Sequence, residues 1–560
     1  MRHEPVTMIQ ERIVAKKGVF WWSEMMKALH NIGRILIALI FCLPFVDAKE
    51  TGHVSAEGEQ PLGPDRFSVI PQEYISYEWW VTSYVNNQVV CSIKVDHEGL
   101  PTGAEIFSSC GKPLYDKWVA TGICNPDDSC KGYYLQLIKT EQAQRDVSVE
   151  LPPPVVWVSL DGCTSFKSSF LCEKLPTLVL TSEEPLDGEE IISLEGRING
   201  RYFICDPICQ VDLAPTDEEG QELEFWANSS YGDSSELFQA RIRVVAADES
   251  SDHEWFADIL TSQWRGGSVA GCSENWNAFP PVGGVPLWLS TPQRAEELAT
   301  EIPYEYLAGH LISQGNADAS ICIDGGIAEE GLPNTCGLEA SKNEVVYWQN
   351  RFDTQIFEAT LQTGIPSRLI KRIFAQESQF WPGIIDELNE VGLGQMTKGG
   401  ADTILLWNRP FYEQFCPSVL EEASCDKGYP HLQPVQQELL QAALIQSVNA
   451  FCLDCELGIN IEQAENSVAI FAETILANCD QTGMIVQNTY GGTAGDWTEY
   501  EDLWRFTLVN YNAGPGCLTL AIWETKRRNE TLNWVNLSSH LTPSCSGAID
   551  YVSMIEFANP

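Results

Sequence analysis

The sequence predicts a multidomain chain, all-β in its N-terminal half and helical from about residue 346 onward. Three observations carry this. A length of 560 residues exceeds what one hydrophobic core organises, so about three domains are expected. From about 66 to 248, apolar residues alternate with polar ones in short runs divided by turn signals, the period of half-buried strands. Beyond 346 the apolar residues recur at i, i+3 and i+4, the period of amphipathic helices.

The N-terminus predicts export. Lys27 and Arg34 precede an apolar run from Ile35 to Val46, and Val46-Asp47-Ala48 places modest or small residues where a signal peptidase cuts. Residues 1–48 are therefore expected to be a signal peptide with its working start at Met26. The run is short for a membrane span, although an uncleaved anchor stays open. Without Cys42, the 19 cysteines become 18, an even number that in an exported chain predicts disulfides. Cys205–Cys209 and Cys452–Cys455 could each form half a zinc site, but neither has a second pair at ligand spacing, and no metal or cofactor is expected. The expected location is extracytoplasmic, secreted or at the cell surface.

Charge excludes one class of partner. With 34 Lys and Arg against 78 Asp and Glu, the net charge of −44 argues against nucleic acid, whose binders carry basic patches. It also repels anionic membranes.

Residues 49–65 are polar and predict a linker. Within 66–175, a first sandwich-like module, strand-like runs occur at Trp79-Trp80, at Val89, Cys91, Ile93 and Val95 after a turn at Asn86-Asn87, at Trp118-Val119 and at Tyr133-Tyr134-Leu135. A break at Glu173 to Pro176 divides this module from a second at 176–248. There the alternation is clearest at Phe238, Ala240, Ile242 and Val244, with Gln239, Arg241 and Arg243 facing out. The strand spacing of the second module is immunoglobulin-like in pattern. These modules are candidates for binding envelope proteins or glycan through aromatics such as Trp79, Trp80 or Trp226, although such aromatics more often belong to a core. Residues 249–345 have no period of their own and are expected to lean on the C-terminal domain, with one helical stretch at Pro292 to Gln314.

The most informative stretch is Ile373 to Asn389. Ile365 and Pro366 open a helix whose stripe of Leu369, Ile370, Ile373 and Phe374 continues one turn on to Glu377, before Pro382-Gly383 ends it. A carboxylate on the apolar face, at the negative end of the helix dipole, is expected to have a raised pKa. A carboxylic acid kept protonated near neutral pH suits general-acid cleavage of a glycosidic bond. The plain alternative is a solvated glutamate at a frayed helix end. Further stripes are expected at Phe352–Leu361, Leu439–Ser447, Val468–Leu476 and Phe506–Tyr511.

Three segments resemble, in order, motifs of the lytic transglycosylases of the lysozyme-like superfamily. Gln376-Glu377-Ser378-Gln379-Phe380-x-Pro382 is similar to the E-S-x-F-x-P motif. Val391-Gly392-Leu393-Gly394-Gln395-Met396 is similar to the G-L-M-Q motif, and Asn510-Tyr511-Asn512-Ala513-Gly514 to A-Y-N-A-G. The resemblance covers about residues 350–520. It implies a lysozyme-like domain at 346–560 that cleaves the β-1,4 bond between N-acetylmuramic acid and N-acetylglucosamine in peptidoglycan glycan strands, leaving a 1,6-anhydro sugar. Position by position it implies Glu377 as the acid/base and Ser378 as support for the helix turn or a substrate contact. It implies Gln395 at the acetamido sugar, with Tyr511 and Asn512 closing the cleft.

The chain departs from the pattern at Gly394, at Thr397-Lys398-Gly399-Gly400 and at Asn510, and the first two departures predict a widened cleft or a shifted glycan preference. A large insert with Cys416, Cys425, Cys452 and Cys455 predicts a disulfide-tied lobe. Two rivals stand beside this reading. One is a muramidase or chitinase-like hydrolase with a second acid among Asp386, Glu387 and Glu390. The other is a non-catalytic glycan-binding cell-surface protein.

Overall fold

The N-terminal ribbon and the sheet that follows it meet at one buried cation. Arg66 donates to Asp233 at 2.7 Å and to both oxygens of Glu184 at 2.6 and 2.8 Å, and its guanidinium lies 5.2 Å from the Tyr231 ring. Such a charge is tolerated inside a protein only when each donor is partnered. The computed structural model describes residues 61–121, 131–166, 169–247, 254–265, 271–328, 331–383, 390–455 and 458–557. The expected signal peptide at 1–48, Asp386, Glu387, Cys124 and Cys130 lie outside the described residues.

The β-rich part contains two antiparallel sheets. The first has the order β2–β1–β3, built from β1 (Phe67–Ser83), β2 (Val89–Val95) and β3 (Tyr133–Glu150). Two helices, α1 (Gly103–Cys110) and α2 (Lys112–Val119), follow β2, and the Cys91–Cys110 disulfide joins β2 to α1. Trp118-Val119 therefore ends a helix and does not form a strand. The helical signal was local: Thr102 and Glu105 form a capping box at the start of α1.

The second sheet has eight strands in the order β4–β5–β11–β10–β9–β6–β7, with β8 also on β5. Its strands are β4 (Val155–Phe166), β5 (Ser169–Glu183), β6 (Ile191–Ile198), β7 (Arg201–Cys205), β8 (Ile208–Asp212), β9 (Gln221–Ser229), β10 (Phe238–Ala246) and β11 (Trp255–Leu260). One edge of β5 is shared between β11, at Phe170–Cys172, and β8, at Thr177–Thr181. The sheet thus curls around a single core that includes Val156, Leu178, Phe225 and Ile242. Two modules meeting at 175/176 are not what folds, because β5 runs through that break. The β4–β5 register shifts between Asp161 and Cys163, and a bulge there accommodates Pro176, which has no N–H for the ladder. The Asn199-Gly200 turn joins β6 to β7 with both residues at positive φ, 46° and 73°, the geometry a two-residue hairpin needs.

The helical part begins well before residue 346. Its helices are α3 (Cys272–Trp276), α4 (Glu305–Ser313), α5 (Thr335–Gln349), α6 (Asp353–Thr363), α7 (Ser367–Ser378), α8 (Lys398–Trp407), α9 (Arg409–Phe415), α10 (Glu422–Cys425), α11 (Pro434–Val448), α12 (Ile461–Tyr490), α13 (Tyr500–Ala513), α14 (Pro515–Arg527), α15 (Trp534–Ser539) and α16 (Gly547–Phe557). Trp276, Leu307, Ala308, Leu311 and Trp348 share one core with Ile370, Phe374, Val468 and Trp504. Lys371 reaches out of α7 to the Leu298 carbonyl and to Asp353, both at 2.7 Å. The segment that lacks periodicity is thus part of the helical core. The helix expected at Pro292 to Gln314 is split into a 3-10 turn at Ala295–Leu298 and α4, with Pro303 falling between them.

Residues 391–448 build a second core with Val391, Met396, Ile404, Tyr412, Leu440 and Leu444. This is the lobe the cysteine spacing predicts, tied by Cys416–Cys425, with Cys452–Cys455 just beyond it. Cys205 and Cys209 are also bonded to each other. Eight disulfides among the described residues indicate folding in an oxidising, extracytoplasmic environment. Among the described residues no helix is long and apolar enough to cross a membrane.

The outer face of β10 meets the helical part. Arg243, expected to face solvent, is buried against Asp258 at 2.6 Å, the Pro280 carbonyl at 2.5 Å and the Phe279 ring. The alternation along the strand is as expected, but the segment at 277–282 covers its second face.

Candidate active site

The end of α7 is shaped by an unusual turn. Leu369, Ile370, Ile373 and Phe374 are fully buried. One turn after Ile373, Glu377 is half-buried on the same side. Gln379 and Phe380 then both adopt positive φ, 46° and 64°, a conformation that costs each non-glycine residue on the order of 1–3 kcal/mol. The turn is held from outside. The Gln379 side chain accepts from the Tyr306 N–H at 2.9 Å, at the start of α4, and the Phe380 carbonyl accepts from the Trp348 indole at 2.7 Å. Backbone strain over-determined by surrounding structure clusters at functional sites in proteins.

Three segments distant in sequence meet at Glu377. The Tyr551 hydroxyl, on α16, donates to Glu377 Oε1 at 2.5 Å. Tyr511, at the end of α13, donates to the Gly394 carbonyl, and its ring lies 6.5 Å from that of Tyr551. Ser378 is buried, and its hydroxyl donates to the Leu393 and Phe374 carbonyls at 2.8 and 3.1 Å. Of the two roles expected for Ser378, its contacts match support of the turn.

Burial pushes the Glu377 carboxyl up to about 7; the Tyr551 hydrogen bond pulls it down, and the nearby Glu390 charge raises it. The phenols of Tyr511 and Tyr551 are driven well above their ordinary range, first by burial and then by the Glu377 charge. Both therefore remain protonated donors at neutral pH.

Gln395 and Asn512 are placed differently from one another. Gln395 is 7 % exposed, with φ at 48°. Its amide nitrogen donates to the Gly392 carbonyl at 2.6 Å, while its amide oxygen is buried with no hydrogen-bond partner among the described residues. An orphaned buried acceptor costs about 1–3 kcal/mol, and an incoming N–H donor would satisfy it. Asn512 is exposed at the end of α13. Asn510 points the other way, into the core, and donates to the Asn478 carbonyl and Gln481 at 3.1 and 3.0 Å.

Two departures from the expected motif have structural causes. A side chain at Gly394 would place its Cβ 2.2 Å from the Phe471 ring, and Phe471 is packed against Phe374 and Tyr511 at 4.7 and 5.9 Å. The ring fills the space a side chain at 394 would take, so glycine there does not widen the site. Gly394→Ala is expected to lower stability by about 1–3 kcal/mol, read as a fall in the midpoint of urea unfolding. An unchanged midpoint would show that the ring moves aside freely. Thr397-Lys398-Gly399-Gly400 opens α8, with the Thr397 hydroxyl accepting from the Gly400 N–H.

Sequence reasoning missed Tyr551. Its signal was the stripe of Ala548, Tyr551, Val552 and Ile555, all buried, on a helix whose last carbonyls, Ile555 and Glu556, accept from Arg372 of α7 at 2.6 and 2.9 Å. Protein-family models, curated proteins and solved structures all yield no match to this chain.

Proposed function

We propose that the chain is an exported peptidoglycan lytic transglycosylase with Glu377 as its acid/base, on a helical region of lysozyme-like fold. The observation that carries this reading is the Glu377 carboxyl, bonded to Tyr551 of α16 near the ends of α7 and α13, with burial raising its pKa to about 7. As the acid, Glu377 protonates the glycosidic oxygen between N-acetylmuramic acid and N-acetylglucosamine, and the bond to the anomeric carbon breaks. The muramyl acetamido group stabilises that centre. Glu377, now a carboxylate, takes the proton from the 6-hydroxyl as its oxygen closes on the anomeric carbon. The product is a 1,6-anhydro ring, with no water consumed. The unpartnered Gln395 oxygen is the acceptor assigned to an acetamido N–H, and Tyr511 and Asn512 are assigned to the cleft mouth.

A second reading rests on Glu390, whose charge reaches Glu377. A second carboxylate could direct water onto the anomeric carbon and make the outcome hydrolysis. Mass spectrometry of products from purified peptidoglycan separates the two. Anhydromuropeptides support transglycosylation, whereas reducing ends alone would transfer the reaction to Glu377 with Glu390. Release of neither would leave glycan binding without cleavage.

Tyr551→Phe tests the tuning. Removing the hydroxyl takes away a donor that favours the charged carboxylate, so the Glu377 pKa rises further. The alkaline limb of the pH–rate profile, expected to fall through about 7 in the wild type from the raised Glu377 carboxyl, should move to higher pH. A limb that stays in place would detach Tyr551 from the acid.

A further inference from the structure

A cleft of about 1130 Å³ lies between β10 and the helical part, bounded by residues 277–282, 495–505, 531–535 and the end of α16. It is larger than the roughly 300–1,000 Å³ typical of small-ligand pockets, which suits a polymer. We propose that this cleft is a second, non-catalytic glycan site that holds the sugar polymer while Glu377 acts on it, an inference that rests on the chain acting on glycan.

Aromatic faces supply the first argument. Trp497 and Trp534 both line the cleft, and Trp497 is 44 % exposed. Trp497 is nevertheless fixed: its indole donates to the Gly491 carbonyl at 2.6 Å, and the Tyr490 ring packs on it at 4.9 Å. A rigid, exposed indole presents a flat apolar face at small entropic cost. A pyranose ring matches it, because its C–H bonds form an apolar face while its hydroxyls stay at the rim.

Charge supplies the second argument and selects the ligand class. Two of the three arginines of the cleft wall are paired with carboxylates, and the third, Arg241, donates to the Asn277 carbonyl at 3.3 Å and lies 5.7 Å from the Phe279 ring. Arg505 is bonded to Asp502 at 2.6 Å and to Glu556 at 2.8 Å, and Arg243 to Asp258 at 2.6 Å. These pairs still offer oxygens and N–H groups to a ligand that both donates and accepts, as hydroxyls do. The cleft carboxylates outside such pairs, Glu218, Glu219 and Glu499, are exposed, so a basic peptide would find its partners only in solvated positions. Thr498 adds an unmet group. It lines the cleft and is 9 % exposed, and its hydroxyl is buried with no hydrogen-bond partner among the described residues.

The test uses the full chain on insoluble peptidoglycan, with Trp497→Ala and Trp534→Ala as variants and unfolding midpoints as the control for folding. Each variant is expected to weaken retention on the polymer by at least about fivefold, while cleavage of a short soluble muropeptide stays within about twofold. Trp497→Ala carries the test if Trp534→Ala fails to fold, because Trp497 is 44 % exposed and lies outside the hydrophobic core. N-acetylglucosamine oligomers are expected to compete with the polymer. Unchanged retention in a folded Trp497→Ala protein would overturn the proposal, as would competition by polylysine and not by the oligomers. If the wild type cleaves neither substrate yet Trp497→Ala still loses retention, the catalytic reading fails and the cleft stands. Cleavage with retention unchanged gives the reverse.

Discussion

Glu377→Gln is expected to lower product release from peptidoglycan by about 10²–10⁴-fold without loss of the fold. Glutamine keeps the shape and can still accept from Tyr551, but it cannot deliver a proton or take one back. The decrease should appear in kcat as well as in kcat/KM, because the proton moves in the transition state and not on binding. Retention of more than about a tenth of the wild-type rate would remove Glu377 from the chemistry and leave its position to packing alone. The same variant has a thermodynamic signature. The folded state holds the Glu377 proton up to about 7, against 4.5 for the ordinary group. Below 4.5 both states are protonated and no cost arises. As pH rises from 4.5 to 7 the unfolded chain releases its proton first, so this group makes folding progressively less favourable. Above 7 the penalty is constant at about 3 kcal/mol, the shift multiplied by 1.36 kcal/mol per unit. Glu377→Gln lacks the penalty. Its melting temperature is therefore expected to exceed that of the wild type at pH 8 and to approach it at pH 4. A gap that does not vary with pH would mean that the carboxyl is not raised.

The same physics explains which elements are legible in the sequence. Helix α7 is legible because its apolar residues repeat with the helical period up to Glu377, but it ends at Ser378, before Pro382, because Gln379 and Phe380 turn to positive φ. Strands β2 and β10 were legible because one face of each is buried, and burial of one face enforces alternation. Segments whose order comes from distant partners were not legible. The Tyr551 hydroxyl reaches Glu377 across 174 positions, and no local pattern announces such a contact. Arg243 faces out of its own strand, but a second layer covers it. Residues 271–349 enter the core through helices of 5, 9 and 15 residues and single large side chains such as Trp276 and Trp348, spaced too irregularly to show a period. At Gly394 the motif pointed to a wider cleft, whereas the neighbouring helix contributes Phe471 to the gap. The departure could be seen in the sequence, but its compensation lies 77 positions further on, at residue 471.

Breaking the Cys272–Cys479 disulfide is expected to produce the largest loss of stability of any single cross-link in the described chain. The bond closes a loop of 207 residues. In the chain-entropy account such a loop removes about 5 kcal/mol of freedom from the unfolded state, against about 3 kcal/mol for a loop of about 15 residues. The ends it joins are also structurally central. Cys479 lies buried in α12, the 30-residue helix, and its carbonyl accepts from the Trp276 indole at 2.8 Å. Trp276 in turn packs edge-on against Trp504 and Tyr500 at 5.1 and 6.1 Å. The bond thus fastens the start of the helical part to its longest helix, next to the segment at 277–282 that covers the sheet. The double substitution Cys272→Ser and Cys479→Ser should lower the urea midpoint far more than the matching change at Cys416 and Cys425, whose loop spans only 9 residues. It should also uncouple the sheet from the helices, so that unfolding separates into two transitions as followed by tryptophan fluorescence and far-ultraviolet dichroism. Equal losses at the two disulfides, with unfolding still in a single step, would mean that packing around Trp276 holds the junction without the covalent bond.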